Sequence, residues 1–577
     1  MPFGSKKGLF FFRLLSLPFI FSLSQCVKSP TSSDVVPTPS TEGNCNGSEI
    51  AADGASDPFY ASQWHLSNAG VANSDLNLGA VWTTNKGKNI RVNVVDDGMQ
   101  ILHEDLATNV TSNGGLNFWV GYSGFSTSAT NPTPPSSGTL AHGTAVSGLI
   151  AGRDMNGIGI RGVAPRACLA GVNLIANAGA TSTQAGQSMV HDLSHTFLSN
   201  NSWGPTDKLG TLVASPSLWQ SGITTASSVA FGWAAGNGAR TNEAVTTGFE
   251  TDNSNYDGYA NHPGVMAICG VKDNGVRVHY SEKGANLWVC GFSETTTYNV
   301  NARGLTTTDL AGNVGFNTYS ASTDSDTSLA TIGSTYFDYR HGSYTRIMNG
   351  TSGATPLVVG AAALIAKENS LLTNRDIRLI LAESARQTDA SDADWATNQG
   401  TKVSGAGHYA INHKYGFGLV DVDAAVTLAR TWTPVVALQT AYDSGTVSVA
   451  QAFADNDSNG ITHAIVVSGN AIERIEFVEV YLTATGDITD LDVRLTNTVG
   501  TESVLAEAHN CYASSSSSTV LSSCGQTYSA WRFGSARHLG ESANQTWTLR
   551  VSDRRTGTTT AGGSFTSWRL KIHGRAS

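Results

Sequence analysis

Charged side chains are scarce in this chain of 577 residues. Asp, Glu, Lys and Arg make up 14% of it, against about 25% in an average soluble domain, and basic residues form no tract anywhere. Because a nucleic-acid-binding surface needs a dense cationic footprint, the composition argues against that class of function. The abundance of Gly, Ser and Thr is also atypical of a coiled coil or a Lys- and Glu-rich helical protein.

Long apolar runs are equally scarce, and the one that matters is Leu9–Leu23, close to the first residue. A basic start followed by a short apolar core is typical of a signal peptide rather than of a membrane span. The run ends in Leu-Ser-Gln-Cys at 23–26, which resembles the bacterial lipoprotein cleavage signal. We therefore expect a signal peptide over residues 1–26 with a lipid on Cys26, or else ordinary secretion with Cys26 removed. No later stretch is apolar enough to predict a membrane span.

The chain has only seven cysteines, an odd number. Cys26 accounts for the odd one, and export allows the remaining six to form disulfides. Cys511 and Cys524 enclose a Ser-rich loop and are expected to pair, whereas Cys269–Cys290 and Cys45–Cys168 are two of several arrangements left open.

Three motifs supply the residue types that an active site needs. Asp96 ends the β-rich segment 89–95, at the strand edge where open α/β sheets carry their sites. His142 begins a helical run of small and apolar residues, and Ser352 begins a second one. Taken singly, the three residues also fit a turn, a structural histidine and a helix N-cap.

Together the three motifs follow the chain order Asp, His, Ser that subtilisin uses. Val-Asp-Asp-Gly, His-Gly-Thr and Gly-Thr-Ser-x-Ala-x-Pro resemble the motifs of the subtilisin superfamily of serine proteases. The resemblance implies that Asp96 orients the base, that His142 is the general base and that Ser352 is the nucleophile. Ala-Ala-Gly-Asn-Gly at 234–238 resembles the oxyanion segment of the family, which implies that Asn237 donates its side-chain amide to the oxyanion.

Further motifs resemble the kexin and furin branch, the proprotein convertases. They are Asp-Asp-Gly at 96–98, Ser-Trp-Gly-Pro-Thr-Asp at 202–207, Asp-Gly-Tyr at 257–259 and Lys-Tyr-Gly-Phe-Gly at 414–418. The branch implies cleavage after Arg or Lys, including dibasic sites, because a cationic P1 side chain needs carboxylates in its pocket. The alternative is a subtilisin of broad specificity, or a surface adhesin on a silent protease scaffold.

The resemblance implies six substrate-binding residues. They are Asp207 and Asp257 for the basic P1 side chain, the backbone of Ser202, Trp203 and Gly204 for pairing with the substrate strand, and Asp97 for a basic P2 residue. The alternative is that these acids cap turns or are solvated. The segment 208–213 is apolar where furin carries further acids, and Thr-Leu-Ala at 139–141 precedes His142 where furin has another acid. P2 and P4 selectivity is therefore expected to be weaker than P1 selectivity.

Calcium is the cofactor that the resemblance implies. The loop at 153–160 resembles the tight calcium loop of the family. The implied ligands of this first site are the Asn156 side chain, the carbonyls of Arg153, Ile158 and Ile160, and the carboxylates of Asp57 and Asp105. A second site beneath the P1 pocket is implied at Asp207, Asp252 and Glu282. Oxygen ligands suit Ca²⁺, although a hydrogen-bonded turn without metal also fits.

After residue 433 the pattern changes from helical spacing to short alternating segments broken by Gly, Asn and Ser, which predicts an antiparallel β-sandwich. The segments at 540–551 and 568–574 resemble the P domain that follows convertase catalytic domains, and a carbohydrate-binding module is the alternative. We expect an α/β, subtilisin-like parallel-sheet catalytic domain at 57–433 and a P-domain sandwich at 434–577. The Ser-, Thr- and Pro-rich segment 27–56 predicts a tether.

A folding prodomain is missing from the expected place. Subtilisin relatives carry several tens of residues between signal peptide and protease, whereas only residues 27–56 separate Cys26 from Asp57, and they are poor in apolar residues. We therefore expect either unassisted folding or a separate chaperone protein. The expected partners are otherwise protein or peptide substrates with a basic P1 residue, in the cell envelope or outside the cell.

Overall fold

The computed structural model describes two layered units. The described residues are 56–68, 74–112, 114–135, 140–294, 303–312, 314–317, 338–339, 341–556 and 562–577. Cys26, Cys45 and nearly all of the signal and tether segments lie outside them, so the lipid on Cys26 and the Cys45–Cys168 pair stay predictions. Among the described residues, no helix combines the length and the hydropathy that a bilayer crossing needs.

A seven-stranded parallel sheet forms the centre of the first unit, in the order β2-β3-β1-β4-β5-β6-β7. Its strands are β1 (Arg91–Asp96), β2 (Leu116–Asn117), β3 (Cys168–Asn173), β4 (Leu198–Asn201), β5 (Ala230–Ala234), β6 (Val265–Val271) and β7 (Leu287–Phe292). Every residue of β1 and of β3 to β7 is buried, as expected where helices cover both faces of a parallel sheet.

The helices of this unit differ greatly in burial. They are α1 (His142–Ala151), α2 (Ser182–Met189), α3 (Ser217–Thr225), α4 (Thr241–Thr247), α5 (Thr351–Glu368), α6 (Asn374–Ser384) and α7 (Val422–Thr431). Helix α5 consists mainly of small and branched apolar residues, is buried along most of its length, and packs on β4 to β7 and on α1. The burial of α5 therefore holds its first turn, which carries Ser352, in a fixed position.

The direction of strand addition reverses at β1. The chain pairs β3 with one edge of β1 and then crosses over to pair β4 with the other edge. Such a reversal opens a crevice at the carboxyl ends of the strands, where ligands of α/β proteins bind. Asp96, the last residue of β1, lies at this crevice.

Two antiparallel pairs accompany the parallel sheet. Strands β8 (Leu305–Thr308) and β9 (Tyr344–Met348) form one pair, and β10 (Ala396–Thr401) and β11 (His408–Ile411) form the other. Strand β9 leads almost directly into α5, and β8 packs on α1. The first pair therefore braces the two helices whose first turns carry His142 and Ser352.

The second unit is a sandwich of two antiparallel sheets. Its strands are β12 (Tyr442–Asp443), β13 (Val447–Phe453), β14 (Ile461–Val466), β15 (Arg474–Thr485), β16 (Leu491–Asn497), β17 (Glu502–Ala506), β18 (Cys511–Tyr512), β19 (Val520–Leu521), β20 (Tyr528–Ser535), β21 (Thr546–Asp553) and β22 (Gly563–Arg575). One sheet joins β12, β13, β22, β15 and β20, the other joins β14, β21, β16 and β17, and β18 and β19 form a small separate hairpin. Alternating residues such as Val478, Val480, Leu482, Trp547 and Trp568 fill the space between the sheets.

The expected fold class, a parallel α/β sheet followed by an antiparallel sandwich, is confirmed. The expected disulfide Cys511–Cys524 is present, and so is Cys269–Cys290, one of the pairings that the sequence left open. The second joins residues that lie opposite each other on β6 and β7. Ion pairs and side-chain hydrogen bonds, including Arg375 with Glu476 and Asn255 with Gly534, hold the sandwich against the first unit.

Candidate active site

Asp96 and His142 meet at the crevice. His142 is the first residue of α1, and its Nδ1 lies 2.9 Å and 3.0 Å from the two carboxylate oxygens of Asp96. Gly143 permits this close approach, because a Cβ at that position would lie 1.9 Å from the carbonyl oxygen of Gly98. The pair has the geometry that fixes an imidazole tautomer and leaves Nε2 available as a base.

The side chain of Asp97 binds the backbone at the start of the same helix, α1. The N-cap position of α1 is Ala141, which offers no capping side chain. Asp97 takes over that role, since its two oxygens accept the N–H groups of His142 (3.2 Å) and Gly143 (2.7 Å). Burial, with the nearby charge of Asp96 adding to it, raises the pKa of Asp97 to about 7. The Asp-Asp-Gly motif predicted a substrate contact for Asp97 but not this capping role.

The pKa of His142 reflects opposing influences. Burial lowers it, but the charge and hydrogen bond of Asp96, helped by the charge of Asp97, raise the pKa of His142 to about 9. The two carboxylates therefore stabilise the imidazolium strongly. A base that removes a proton during attack needs this stabilisation of its protonated form.

Ser352 lies in the first turn of α5 and is tied to the segment after β4. Pro356 has no N–H, so the carbonyl of Ser352 lacks its usual helical donor four residues on. The hydroxyl of Ser202 donates to that carbonyl at 3.0 Å, and the hydroxyl of Ser352 donates to the carbonyl of Ser202, also at 3.0 Å. This reciprocal pair fixes the serine beside residues 202–204, and the Ser352 side chain must turn from Ser202 to give its proton to His142.

Asn237 follows β5 and faces the same turn. Its Oδ1 accepts the N–H (2.8 Å) and the hydroxyl (3.0 Å) of Thr351, which leaves the amide nitrogen as the free donor. The backbone N–H of Asn237 donates to Asp207 at 2.8 Å, and the side-chain amide lies beside the same carboxylate. Sequence reasoning did not single out Thr351, although it lies inside the Gly-Thr-Ser motif; its contact with Asn237 spans distant chain segments and needs the fold.

Two clefts meet at Ser352. One has a volume of about 270 Å³ and is lined by Ser202, Trp203, Gly204, Asp207, Asp252, Asp257 and Glu282, besides His142, Asn237 and Ser352. The other, of about 340 Å³, shares His142, Asn237 and Ser352 and extends toward Tyr280 and Met348. An extended chain can therefore cross the serine with residues on both sides. Asp97 is not among the described residues that line either cleft.

Four carboxylates surround the first cleft. Burial raises the pKa of Asp257 to about 7, and burial together with the charge of Asp207 does the same for Asp252. Burial and the charges of Asp252 and Asp207 raise the pKa of Glu282 well above its usual value. No described basic side chain forms an ion pair with any of these three. Such crowding is costly unless a cation lies among them.

A second acidic cluster lies at the loop between α1 and β3. Asp57 accepts the N–H groups of Met155 and Asn156 and an Nε–H of Arg161. Asp105 accepts the Asn156 amide at 2.8 Å and the N–H of Ile160 at 2.7 Å. Both acids are buried, and burial raises the pKa of Asp105 well above its usual value. Three of the residues expected at the first calcium site, Asp57, Asp105 and Asn156, therefore lie together.

The chain was compared with known proteins. Residues 87–418 match the model of the subtilase family, and residues 475–572 match that of the proprotein convertase P domain. The first match alone spans more than half of the chain. The chain belongs to the subtilase family. Its C-terminal sandwich is a P domain, so the convertase-type expectation is confirmed.

Several relatives align with most of this chain. The chain is 30% identical over 553 residues to the extracellular serine protease of Aeromonas sobria, and the alignment covers 87% of this chain and 85% of that protein. It is 27% identical to human furin and to kexin of Saccharomyces cerevisiae, covering 90% of this chain but only 58% and 56% of those proteins. The crystal structure of the Aeromonas protease with its chaperone superposes with a TM-score of 0.73 at 26% identity, over 91% of this chain and 96% of that one. The protein is accordingly a serine endopeptidase.

Proposed function

We propose that this subtilase cleaves peptide bonds after Arg or Lys, through Asp96, His142 and Ser352. The carboxylate-lined cleft that opens directly beside Ser352 carries the proposal. Nε2 of His142 takes the Ser352 proton as Oγ attacks the scissile carbonyl, and Asp96 stabilises the resulting imidazolium. His142 then protonates the leaving amine, and water releases the acyl group from Ser352 by the reverse sequence.

Asn237 supplies the oxyanion donor in this proposal. Thr351 fixes the Asn237 oxygen, so the amide nitrogen remains for the charge that develops on the substrate carbonyl. The same nitrogen lies beside the Asp207 carboxylate, which accepts the backbone N–H of Asn237. A basic P1 side chain that engages Asp207 therefore binds next to the oxyanion donor.

The P1 pocket is assigned to Asp207 and Asp257. Asp257 is held by the N–H of Tyr259 at 2.7 Å, with its other oxygen directed toward Gly204. A guanidinium or ammonium group here lowers the raised pKa of Asp257 and gains charge-assisted hydrogen bonds in return. The backbone of Ser202, Trp203 and Gly204 forms the edge for the substrate strand. A basic P2 side chain has only Asp97, whose oxygens are already engaged, so P2 selectivity stays weak.

Peptide pairs that differ only at P1 test this assignment. We expect kcat/KM to be at least about 100-fold higher for P1 Arg than for P1 Phe. Asp257→Asn is expected to remove most of that difference by raising KM for the Arg substrate. Asp273→Asn is the matched control, since Asp273 pairs with Arg303 away from the cleft. Equal rates for the two wild-type substrates would instead establish a broad-specificity protease.

We also propose two bound calcium ions. At the first site the ligands are the carboxylates of Asp57 and Asp105, the Asn156 side chain and the carbonyls of Arg153, Ile158 and Ile160. At the second they are Asp207, Asp252 and Glu282. The donor sets fit, because all are oxygens and the buried acids of the second site have no described cationic partner. When bound, the ions neutralise these carboxylates and stiffen the loops that carry them.

A separate folding partner is the remaining proposal about interactions. The similar protease of Aeromonas sobria forms a complex with a chaperone, and the segment 27–56 is too poor in apolar residues to fold as a prodomain. Expression of this chain alone is expected to give little active enzyme, and co-expression with a separate chaperone protein, of the kind that binds the Aeromonas protease, is expected to restore activity. Full activity from the chain alone would contradict the proposal.

Export is supported by the extracellular Aeromonas relative. Anchoring through a lipid on Cys26 stays a prediction, because Cys26 lies outside the described residues. Mass spectrometry of the N-terminal peptide from the mature protein distinguishes a diacylglyceryl cysteine from a secreted chain without Cys26.

A further inference from the structure

A short loop, residues 208–212, borders the proposed P1 cleft through Thr211 and forms part of its wall, while its other side faces the P domain. On its inner side, the carboxylate of Asp252 accepts the N–H groups of Lys208 and Gly210. Asp252 in turn lines the cleft. The position of this backbone therefore sets the position of an acid at the base of the cleft.

On its outer side, the same loop lies against the P domain. The carbonyl oxygen of Gly210 is 2.9 Å from Nε2 of His509, and it lies 3.3 Å and 3.1 Å from the sulfur atoms of Cys511 and Cys524. The N–H of Tyr512 donates to the carbonyl of Leu209 at 3.1 Å. The disulfide thus closes a loop that contacts two consecutive carbonyl groups, those of Leu209 and Gly210.

A second set of hydrogen bonds holds Leu212, two residues further along the loop. The side-chain oxygen of Gln526 accepts the N–H of Leu212 at 2.7 Å, and its amide donates to the carbonyl of Leu212 at 3.3 Å. Asp487 fixes the neighbouring turn by accepting the N–H groups of Cys524 and Gly525. The P domain therefore holds the wall at Leu209, Gly210 and Leu212 through groups that are themselves fixed.

Gly210 shows how tight this contact is. Its φ is +73°, and a Cβ would lie 2.3 Å from the carbonyl oxygen of Asn510 and 2.9 Å from the Cys511 sulfur. His509 is buried, and the Tyr256 hydroxyl lies 3.1 Å from its other ring nitrogen. The imidazole therefore has little freedom to follow a moving loop, and it holds the Gly210 carbonyl in place.

We propose that His509 and the Cys511–Cys524 loop of the P domain are positioning elements for P1 selectivity. They act through the backbone of Leu209 and Gly210: His509 binds the Gly210 carbonyl and the N–H of Tyr512 binds the Leu209 carbonyl, while the N–H of Gly210 holds Asp252. The P domain thus contributes to substrate choice, beyond packing against the protease, without touching the substrate. The inference rests on the proposed preference for a basic P1 residue.

The test uses the full chain and two readouts. The first is the ratio of kcat/KM for P1 Arg to that for P1 Phe, and the second is the rate at which a small fluorophosphonate labels Ser352 without occupying the P1 cleft. His509→Leu and the double change Cys511→Ser, Cys524→Ser are expected to lower the ratio about tenfold by raising KM for the Arg substrate. Labelling is expected to stay within about twofold of wild type, because the triad is not displaced.

Matched variants separate positioning from stability. His509→Gln keeps a nitrogen donor near the Gly210 carbonyl and is expected to restore most of the selectivity. Arg569→Gln breaks an exposed ion pair with Asp443 elsewhere in the P domain and is expected to change neither readout. Where His509→Leu does not fold, Gln526→Ala, at a half-buried position, replaces it.

Two results would overturn the inference. One is an unchanged ratio in folded His509→Leu and double-serine proteins. The other is a parallel loss of labelling and selectivity, which would mean a general structural role. If the wild-type enzyme shows no preference for P1 Arg, the proposed function itself is wrong. That result is obtained before any variant is made, so it is distinguished from a failure of the inference about the P domain.

Discussion

Replacement of Ser352 by Ala is expected to lower kcat/KM by about 10⁶-fold and to abolish fluorophosphonate labelling. The expected loss is large because the alcohol is both the proton donor to His142 and the atom that carries the acyl group. The fold should survive, since Ser352 is tied to Ser202 by two hydrogen bonds and Ala removes only the one that its hydroxyl donates. The bond from Ser202 to the Ser352 carbonyl remains.

The control for this experiment is Ser384→Ala. Ser384 is half-buried, and its hydroxyl bonds only to the carbonyl of Ile380 within α6, so the same atoms are removed from a helix away from the cleft. Rates and labelling should match wild type. Persistent labelling of Ser352→Ala would show that the nucleophile is another residue. The double variant Ser352→Ala, His142→Ala should lose little more kcat/KM than either single variant, because the two groups act as one unit.

Removal of calcium by EDTA is expected to lower Tm by at least about 5 °C. An ion that binds only the folded state stabilises it by mass action, by about 3 kcal/mol at a hundredfold excess over its Kd. Without the ion, Asp252 and Glu282 remain buried together with no described cation to compensate them. Differential scanning calorimetry with and without EDTA measures the change.

The size of this effect should depend on pH. In the calcium-free fold the pKa of Asp252 lies at about 7, above its ordinary 3.8, so the folded state holds more protons than the unfolded chain between these values. Stability of the calcium-free protein therefore falls as pH rises through that window. EDTA should lower Tm more at pH 8 than at pH 5.

Variants separate this effect from general chelation. Asp252→Asn combined with Glu282→Gln should remove much of the EDTA response, whereas the exposed Asp443→Asn should leave it intact. A melting curve that EDTA does not change at either pH would rule out the proposed calcium sites.

Local motifs predicted the fold class because each one joins a functional residue to a recognisable strand or helix pattern. Asp96 follows a β-rich segment and does lie at the end of β1. Ser352 precedes an apolar helical run and does lie in the first turn of α5. Asp57 and Asp105, the two acids of the second acidic cluster, were likewise predicted from the sequence. Each of these carries a motif that can be identified without its neighbours.

Other features depend on contacts between distant segments and have no such signal. The link between Ser202 and Ser352 arises because Pro356 leaves a carbonyl free, and only the fold shows which hydroxyl fills that position. The same holds for Asp97, whose motif suggested a substrate contact but whose oxygens cap α1. Nothing in the sequence pairs His509 with Gly210, because 299 residues separate them.

Strand β22 also affects the order in which the molecule can assemble. It pairs with β12, β13 and β15, so it lies inside its sheet although every other strand of the sandwich precedes it in sequence. The sheet cannot close before this segment is available, and its long-range pairings make closure slow. Until then the edges of β13 and β15 that pair with β22 are open to pairing with another chain, so the incompletely folded sandwich is exposed to aggregation.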